Sequence, residues 1–344
     1  MTPELEPTTG LRRDSFGIGT FVHGGHSFPA LVKPAGDVID VSRFWPDTHA
    51  LFDDWRRSFD HLVDLAAHAH EAALDFETVT PLPPLAHPQI LGAGGNYRQH
   101  VAEMMTHNRF NQHNRRPGES DADFFQRNLE LVDARARDGM PFFFTGLHSS
   151  LVGARDDIVL PKVGSQHDWE LELTCVIGRS ERYVAPEAAH ELIAGFTVVN
   201  DLGSVDTFRR KDVNWGYDWV GKHQPSFKPA GPFVVPAAFV SVDKDLRIQL
   251  KLNGETKQDW PVTDMIFSPE QILSYASERV RLLPGDLLLT GSPPGNGALH
   301  GRFLRPGDVI ESEITGLGRQ RNRCRAESAP NALARWRVKG GFAE

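Results

Sequence analysis

Glu170 and Glu172 stand two residues apart in the run HDWELELTCVIG. In an extended strand alternate residues share a face, so both carboxylates point one way while Leu171 and Leu173 point the other. An acidic face of this kind reads either as a solvated strand surface or as a paired-acid site. The residues that follow, Thr174, Cys175, Val176 and Ile177, have core character. Two carboxylates beside a core do not stay ionised together unless a cation sits between them. Asp201 supplies a third acid where the apolar run FTVVND ends. Three carboxylates, with no cysteine and no histidine at ligand spacing, suit a hard divalent ion: Mg2+ first, with Mn2+ or Ca2+ as alternatives.

His100 and Glu103 form a second constellation. At i and i+3 of a helix they share a face, so the carboxylate can orient the imidazole and raise its basicity, as a general base that activates water requires. The alternative is a chance surface pair. Lys222, in WVGKHQPSFKPAGP, reads as an electrophilic anchor or as a surface lysine. The glycines of GAGGNYRQH follow a strand and precede a helix, but their spacing does not match G-x-G-x-x-G, so they read as a tight turn that brings the helix start into a cleft.

Periodicity predicts the elements that must position these groups. Residues 1 to about 15 read as a polar tail. FGIGTFVHGG and FPALVKPAGDVIDV read as short antiparallel strands, followed by a helix from Pro46 to Phe76 on the spacing of Leu51, Trp55, Phe59, Leu62, Val63 and Ala66. The Pro-rich TVTPLPPLAHPQ marks a boundary near residue 85. That gives a small N-terminal domain over 1–85 and a larger unit over 86–344. Within the latter, 106–140 is a polar insert whose helix starts at Ser120 and Asp123, carries Phe125, Leu129, Val132 and Ala136, and ends at Gly139. It reads as a packed surface helix or as a lid. From Asp168 onward, short runs separated by Gly and Pro (ELELTCVIG, AGFTVVNDL, GPFVVP, LRIQLKLNG, DLLLTG and DVIESEITGLG) predict strands, with one helix at Pro269–Val280 and a β-rich barrel or sandwich overall. Arg319, Arg321, Arg323 and Arg325 alternate, as on a solvated edge strand.

Composition narrows the function classes. With 344 residues, 40% hydrophobic and 24% charged, the chain has the make-up of a globular protein. A net charge of -8 gives no basic footprint for nucleic acid. No stretch reaches the roughly 20 apolar residues of a membrane span, and MTPELEPTTGLRRDSF lacks the apolar centre of a secretory signal, so a cytoplasmic protein is expected. Two cysteines, Cys175 and Cys324, make no disulfide framework.

Seven segments taken together resemble the fumarylacetoacetate hydrolase family: GGNYRQHVAEM, HDWELELTCVIGR, IAGFTVVND, GKHQPSFKPAGPFVV, LKLNGETKQ, MIFSPEQILSYAS and LLPGDLLLTGSPPGNG. They occur in the family's order over about residues 90 to 320. The resemblance implies an α+β, β-rich fold: a mixed β-roll or β-barrel catalytic domain behind a small N-terminal α/β domain, and a homodimer. It implies a divalent metal on Glu170, Glu172 and Asp201, a water-activating His100 partnered with Glu103, and an active-site Lys222. Ser292 falls on the threonine of the family's TGTP segment, which contacts substrate, and Gly291, Tyr97 and Arg98 join it as expected substrate contacts. The activity implied is hydrolysis of a C–C bond in a 1,3-dicarbonyl, a diketo acid or β-diketone, in which the metal polarises the carbonyl and holds the departing enolate. The same electron sink serves decarboxylases, oxo-enoate isomerases and sugar-acid dehydratases, so a lyase or isomerase is the alternative. Val205 and Thr145 stand where relatives with small dicarboxylate substrates carry Arg and Lys. Unless Arg209 or Arg210 compensates, a bulkier, less charged dicarbonyl is expected, with Phe110, Phe124 and Phe125 as apolar cover.

Overall fold

The computed structural model describes residues 4–68, 73–107, 109–210 and 216–328. The architecture is α+β and β-rich, as the turn-punctuated runs predict. Its largest sheet has eight strands. Along its main path the order is Phe142–Gly146, Ile90–Gly94, Leu287–Leu289, Leu171–Ile177, Ile193–Asn200, Lys228–Ala230 and Leu151–Gly153, with Val235–Pro236 also pairing to Ile193–Asn200. The sheet is mixed: Ile90–Gly94 runs parallel to Leu287–Leu289, and Lys228–Ala230 parallel to Leu151–Gly153. A second sheet holds Glu255–Pro261, Arg247–Leu252, Val309–Ile314, Arg319–Ala326 and Ile158–Leu160, in that order.

Leu171–Ile177 is the middle strand along the main path of the eight-stranded sheet. All seven of its residues are buried, so it has no solvated face, and Leu171 and Leu173 are as enclosed as Glu172. Burying Leu171, Leu173 and Ile177 stabilises the strand by about 1.5–3 kcal/mol each. That is enough to hold a strand that also takes a carboxylate out of water, at a cost of several kcal/mol.

The N-terminal segment forms its own sheet, Leu74–Asp75, Asp37–Asp40, His26–Val32, Gly17–His23 and Thr80–Pro81. Its apolar face shares the core of the rest. Ile18, Leu31 and Leu62 cluster with Val176, Val199 and Leu289, while Phe21 and Val38 cluster with Leu171 and Phe233. Ile18 and Val234 also exchange backbone hydrogen bonds at 2.8 and 2.7 Å. The predicted polar tail needs correction: Leu11 is fully buried and bridges Gly316 and Leu317, because an apolar side chain there has the second sheet to cover it.

The predicted helix at Pro46–Phe76 is shorter, α1 at Trp55–Ala67. Asp47 and Asp54 break it up, the first accepting from Ala50 N and the second capping the helix by accepting from Arg57 N. Val63 of the expected stripe is exposed, and Leu74–Asp75 pairs as a strand with Asp37 and Val38. The arginine strand is also not an edge: Arg319–Ala326 pairs with Val309–Ile314 on one side and Ile158–Leu160 on the other. Its arginines do face solvent, and Arg319, Arg321 and Arg325 pair with Glu313, Glu311 and Asp157.

Strand Ile90–Gly94 turns at Gly95, whose φ of +57° favours glycine, and leads into α2, Arg98–His107. The insert supplies α3, Asp121–Asp138, capped by Ser120 as predicted. Its buried stripe is Phe124, Asn128, Leu129 and Val132, one position ahead of the predicted Phe125, and Ala136 is exposed. Asn128 donates to Thr106 of α2 at 3.0 Å, so the insert is a helix packed on α2 rather than a free-standing cover. Phe124 lies under the guanidinium groups of Arg115 and Arg127, and the side chain of Phe110 lies outside the described residues.

Asn96, at this turn, fastens α2 to the rest. Its Nδ2 donates to Phe267 O at 3.0 Å and to Thr290 O at 2.8 Å, and its Oδ1 accepts from Phe267 N at 3.0 Å. Asn96→Ala leaves three buried backbone groups unpaired, each costing about 1–3 kcal/mol before relaxation. A loss of roughly 3 kcal/mol in urea unfolding is expected; an unshifted midpoint would remove Asn96 from this role.

Candidate active site

Antiparallel register assembles the acids. Leu171 pairs with Asn200, so Glu170 and Asp201, one step beyond each, come together, and Asp201 N donates to Glu170 O at 2.8 Å. Glu172 lies on the same strand. The carboxylate oxygens of Glu170, Glu172 and Asp201 come within 4.8 Å of one another. Glu172 is fixed from a third strand end: Gly291 N donates to its Oε2 at 2.7 Å. Gly291 has φ +96°, and a Cβ there would lie 2.9 Å from Asn96 Cβ, so no other residue brings this N–H to Glu172 without displacing Asn96.

Lys222 bridges the acids. It sits at the end of the short turn Trp219–Lys222, and its Nζ donates to Glu170 Oε2 at 2.6 Å, Asp201 Oδ2 at 2.7 Å and Asp201 O at 3.2 Å. A second lysine, absent from the predicted set, completes the cluster: Lys228 is fully buried and its Nζ donates to Asp201 Oδ1. Burial, then the charges of Asp201 and Glu170, push Glu172 well above the usual carboxylate range. Burial also raises Glu170, with Lys222 opposing. For Asp201, burial works upward, but Lys222 and Lys228 outweigh it and hold the group low. Lys222 is raised, since Asp201 and Glu170 outweigh its own burial.

α2 brings Tyr97 and His100 to this region. Both are buried, and among the described residues neither Tyr97 Oη nor His100 Nδ1 has a hydrogen-bond partner. Burial, followed by the charge of Lys222, lowers His100 to about 4, so the imidazole is neutral at pH 7. Tyr97 is raised by burial, then by Glu172 and Asp264.

Three expected contacts lie elsewhere. Glu103 is not bonded to His100: its Oε1 accepts from Gln99 Nε2 at 2.8 Å, one turn back on the helix, and its Oε2 has no partner among the described residues. Arg98 is engaged by the insert, donating to both oxygens of Asp133 at 2.6 and 2.9 Å. Ser292 Oγ accepts from Gln258 Nε2 at 3.0 Å, and Gln258 Oε1 in turn accepts from Leu171 N at 3.2 Å, so this hydroxyl braces the acid-bearing strand. Arg209 and Arg210 are held by Tyr217 and Asp218, and Thr145 is exposed on the outermost strand of the central sheet. Aromatic rings stand beside Lys222 instead. Its Nζ is 5.2 Å from the Phe144 ring centre and 5.9 Å from that of Phe208, and Trp219 lies against both rings at 5.5 and 5.3 Å.

The donor set, three clustered and enclosed carboxylates of which two are raised chiefly by burial, fits a hard divalent cation. Comparison with known proteins decides the lineage. The profile described as Fumarylacetoacetate (FAA) hydrolase C-terminal matches residues 89–325. The chain belongs to the fumarylacetoacetate hydrolase family. It is 39% identical over 186 residues to 2,4-didehydro-3-deoxy-L-rhamnonate hydrolase from Sphingomonas sp. (strain SKA58), a match covering 53% of this chain and 64% of that enzyme. It is 30% identical over 289 residues to oxaloacetate tautomerase Fahd2a, mitochondrial, from Rattus norvegicus, covering 82% of each. A Mycobacterium smegmatis structure described as an HpcE protein aligns with a TM-score of 0.70 at 29% identity, over 89% of this chain and 99% of that one. The maleylpyruvate hydrolase of Sphingobium sp. SYK-6, solved with manganese(II) and pyruvate, shares the fold, with a TM-score of 0.65 at 21% identity over 90% and 99% of the two chains. Relatives of this fumarylacetoacetate hydrolase family member thus include hydrolase and tautomerase enzymes. Among the described residues no helix is long and apolar enough to cross a membrane.

The buried imidazole has a measurable consequence. His100 takes up a proton near 6.5 when unfolded but only at about 4 when folded. The unfolded chain therefore binds more protons between those values, so stability is complete above pH 6.5 and falls as pH drops towards 4. Between pH 7 and 4.5, wild type should lose about 2–3 kcal/mol more than His100→Gln in urea unfolding. Equal losses would place the imidazole in water.

Proposed function

We propose that this protein is a divalent-metal-dependent enzyme that hydrolyses a C–C bond in a 1,3-dicarbonyl compound. The observation that carries the reading is the cluster of Glu170, Glu172 and Asp201, with carboxylate oxygens within 4.8 Å of one another and Lys222 bridging two of them. Glu170, Glu172 and Asp201 would hold the divalent ion, which would supply Lewis acidity toward a substrate carbonyl. His100 accepts the proton of a water molecule as its oxygen attacks the carbonyl carbon. The Lys222 ammonium offsets the charge that develops on oxygen. When the C–C bond breaks, its electron pair passes to the carbon next to the second carbonyl and is delocalised there as an enolate. Tyr97 Oη is a further donor for that oxygen. Glu103 steadies His100 only if it leaves Gln99, whose amide now holds it.

A second reading is keto–enol tautomerisation of a 2-oxo acid, with His100 taking the proton from carbon rather than from water. The match over 82% of the rat oxaloacetate tautomerase favours it. Both readings need the same cluster, and a lyase would use it as well. A second copy of this chain is the expected partner: the outermost strand Phe142–Gly146 leaves its edge open, with Met140, Phe142 and Leu147 exposed beside it.

Two variants test the roles. Glu172→Gln should lose metal-dependent turnover by at least about 100-fold while its melting temperature stays within a few degrees, since an oxygen site depends steeply on ligand charge. His100→Ala should lose hydrolysis yet bind Mn2+ like wild type. An active Glu172→Gln enzyme would end the metal reading, and a sharp fall in Mn2+ affinity in His100→Ala would make the imidazole a ligand.

Substrate preference follows from the aromatic wall. A small dicarboxylate needs a cationic partner for its far carboxylate, and leaving that group buried without one is costly. Beyond Lys222 the neighbours are Phe144, Phe208 and Trp219, with Arg209 and Arg210 already engaged. Larger or aromatic β-diketones should therefore show higher kcat/KM than oxaloacetate or short acylpyruvates. Efficient oxaloacetate turnover with the larger diketones ignored would put tautomerisation first.

A further inference from the structure

Three carboxylates and two ammonium groups meet at this site, and the second ammonium has no part in the reaction proposed above. Lys228 opens the strand Lys228–Ala230, whose Ala230 pairs with Val199, two residues before Asp201. Parallel pairing to Leu151–Gly153 flanks the strand on its other side, and Lys228 is fully buried. Gly146 leaves it room, since a Cβ there would lie 3.0 Å from Lys228 Cε. Among the described residues the only carboxylate it touches is Asp201, through Oδ1. Its remaining hydrogen-bond partner is Lys222 O at 3.4 Å.

The two lysines are therefore not equivalent. Lys222 comes from a turn, reaches both Glu170 and Asp201, and stands between acids where an arriving cation would compete with it. Lys228 comes from within the sheet, is fully buried, and lies on the oxygen of Asp201 that Lys222 does not take. With all five groups charged, Glu170, Glu172 and Asp201 against Lys222 and Lys228 leave a net charge of -1, where Lys222 alone would leave -2. The extra positive charge opposes any divalent ion at a distance and depth where water screens little. It also occupies one of the two oxygens through which Asp201 could bind.

We propose that Lys228 is a built-in countercharge that sets the metal affinity of this site: it weakens divalent-ion binding and stabilises the metal-free protein. The inference rests on the metal reading above but goes beyond it. It makes Lys228 a positioning residue rather than a catalytic one, and it implies that the ion exchanges readily with the surroundings.

The test is Mn2+ binding by titration calorimetry on the full chain, with melting temperature read beside it. Lys228→Met keeps the length of the stem and removes the charge, and Lys228→Arg keeps the charge. Lys228→Met should bind Mn2+ at least about 10-fold tighter, in keeping with the 10- to 100-fold scale of contacts made to metal ligands. Without metal it should melt lower than wild type, and Mn2+ should raise its melting temperature by more; Lys228→Arg should stay near wild type in affinity. Unchanged or weaker Mn2+ binding in Lys228→Met, or an unaltered metal-free melting temperature, overturns the proposal. If Lys228→Met does not fold without metal, refolding in micromolar Mn2+ supports it, and failure even in millimolar Mn2+ overturns it. Turnover is not needed for any of these readings. A wild type that binds no Mn2+, beside a Lys228→Met variant that does, would support the countercharge while removing the metal from the enzyme's reaction. Neither protein binding Mn2+ would overturn both.

Discussion

Everything in this molecule turns on burying three acids on neighbouring strand ends. A carboxylate taken out of water alone is lost to protonation, and three together repel one another as well. What keeps Asp201 ionised is contact with two lysines, one on each oxygen. Breaking a buried pair of this kind by removing one partner is costly, on the order of 3–5 kcal/mol, whereas the intact pair adds little net stability. The cluster is therefore a source of specificity in the reactive centre and a burden on the fold. The burden is offset by the enclosed Leu171–Ile177 strand and by Gly291 N–H on Glu172.

Which parts were legible in the sequence follows from how far apart the partners lie. Glu170 and Glu172 are two residues apart in one strand, so period-two reasoning brings them together, and Asp201 falls where an apolar run stops. Strand-forming runs, the Ser120 cap and the Pro269 helix are likewise local signals. The arrangement around them is not. Gly291 meets Glu172 across 119 positions, and Asn96 meets Phe267 across 171. Lys228 left only a faint trace, a charge inside the otherwise strand-like FKPAG. Its partner Asp201 is 27 residues away.

The same limit explains the misplaced contacts. Arg98 directly follows Tyr97 and so looks like a neighbour of the site. One residue along a helix is a turn of about 100°, and that rotation faces Arg98 toward Asp133 of the insert. Glu103 shares a face with His100 at i+3 but also with Gln99 at i+4, and the amide won. Helical spacing permits contacts without choosing among them. The resemblance implies that Ser292 is a substrate-touching hydroxyl; its bond to Gln258 ties it to the backbone of Leu171, one residue from each of the two glutamates.

Hydrolysis and tautomerisation then differ less in residues than in what reaches them. A neutral imidazole near Lys222 accepts a proton equally well from water or from an activated carbon, and the charge that develops on oxygen is offset in the same way. Hydrolysis adds one requirement, a water molecule at the carbonyl carbon on the His100 side. The aromatic wall bears on that requirement in opposite ways for different substrates. On the proposed reading, a large apolar group stacked along Phe144 and Trp219 would cover the apolar surface and leave water only at the polar end of the site. A small dicarboxylate leaves those rings bare and must bury its own charge against them, so it lies less firmly and has less reason to expel or order water. On the proposed reading, the wall would therefore bear on which course a substrate takes, since a group that covers Phe144 and Trp219 and one that leaves them bare differ in how much water they admit beside Lys222.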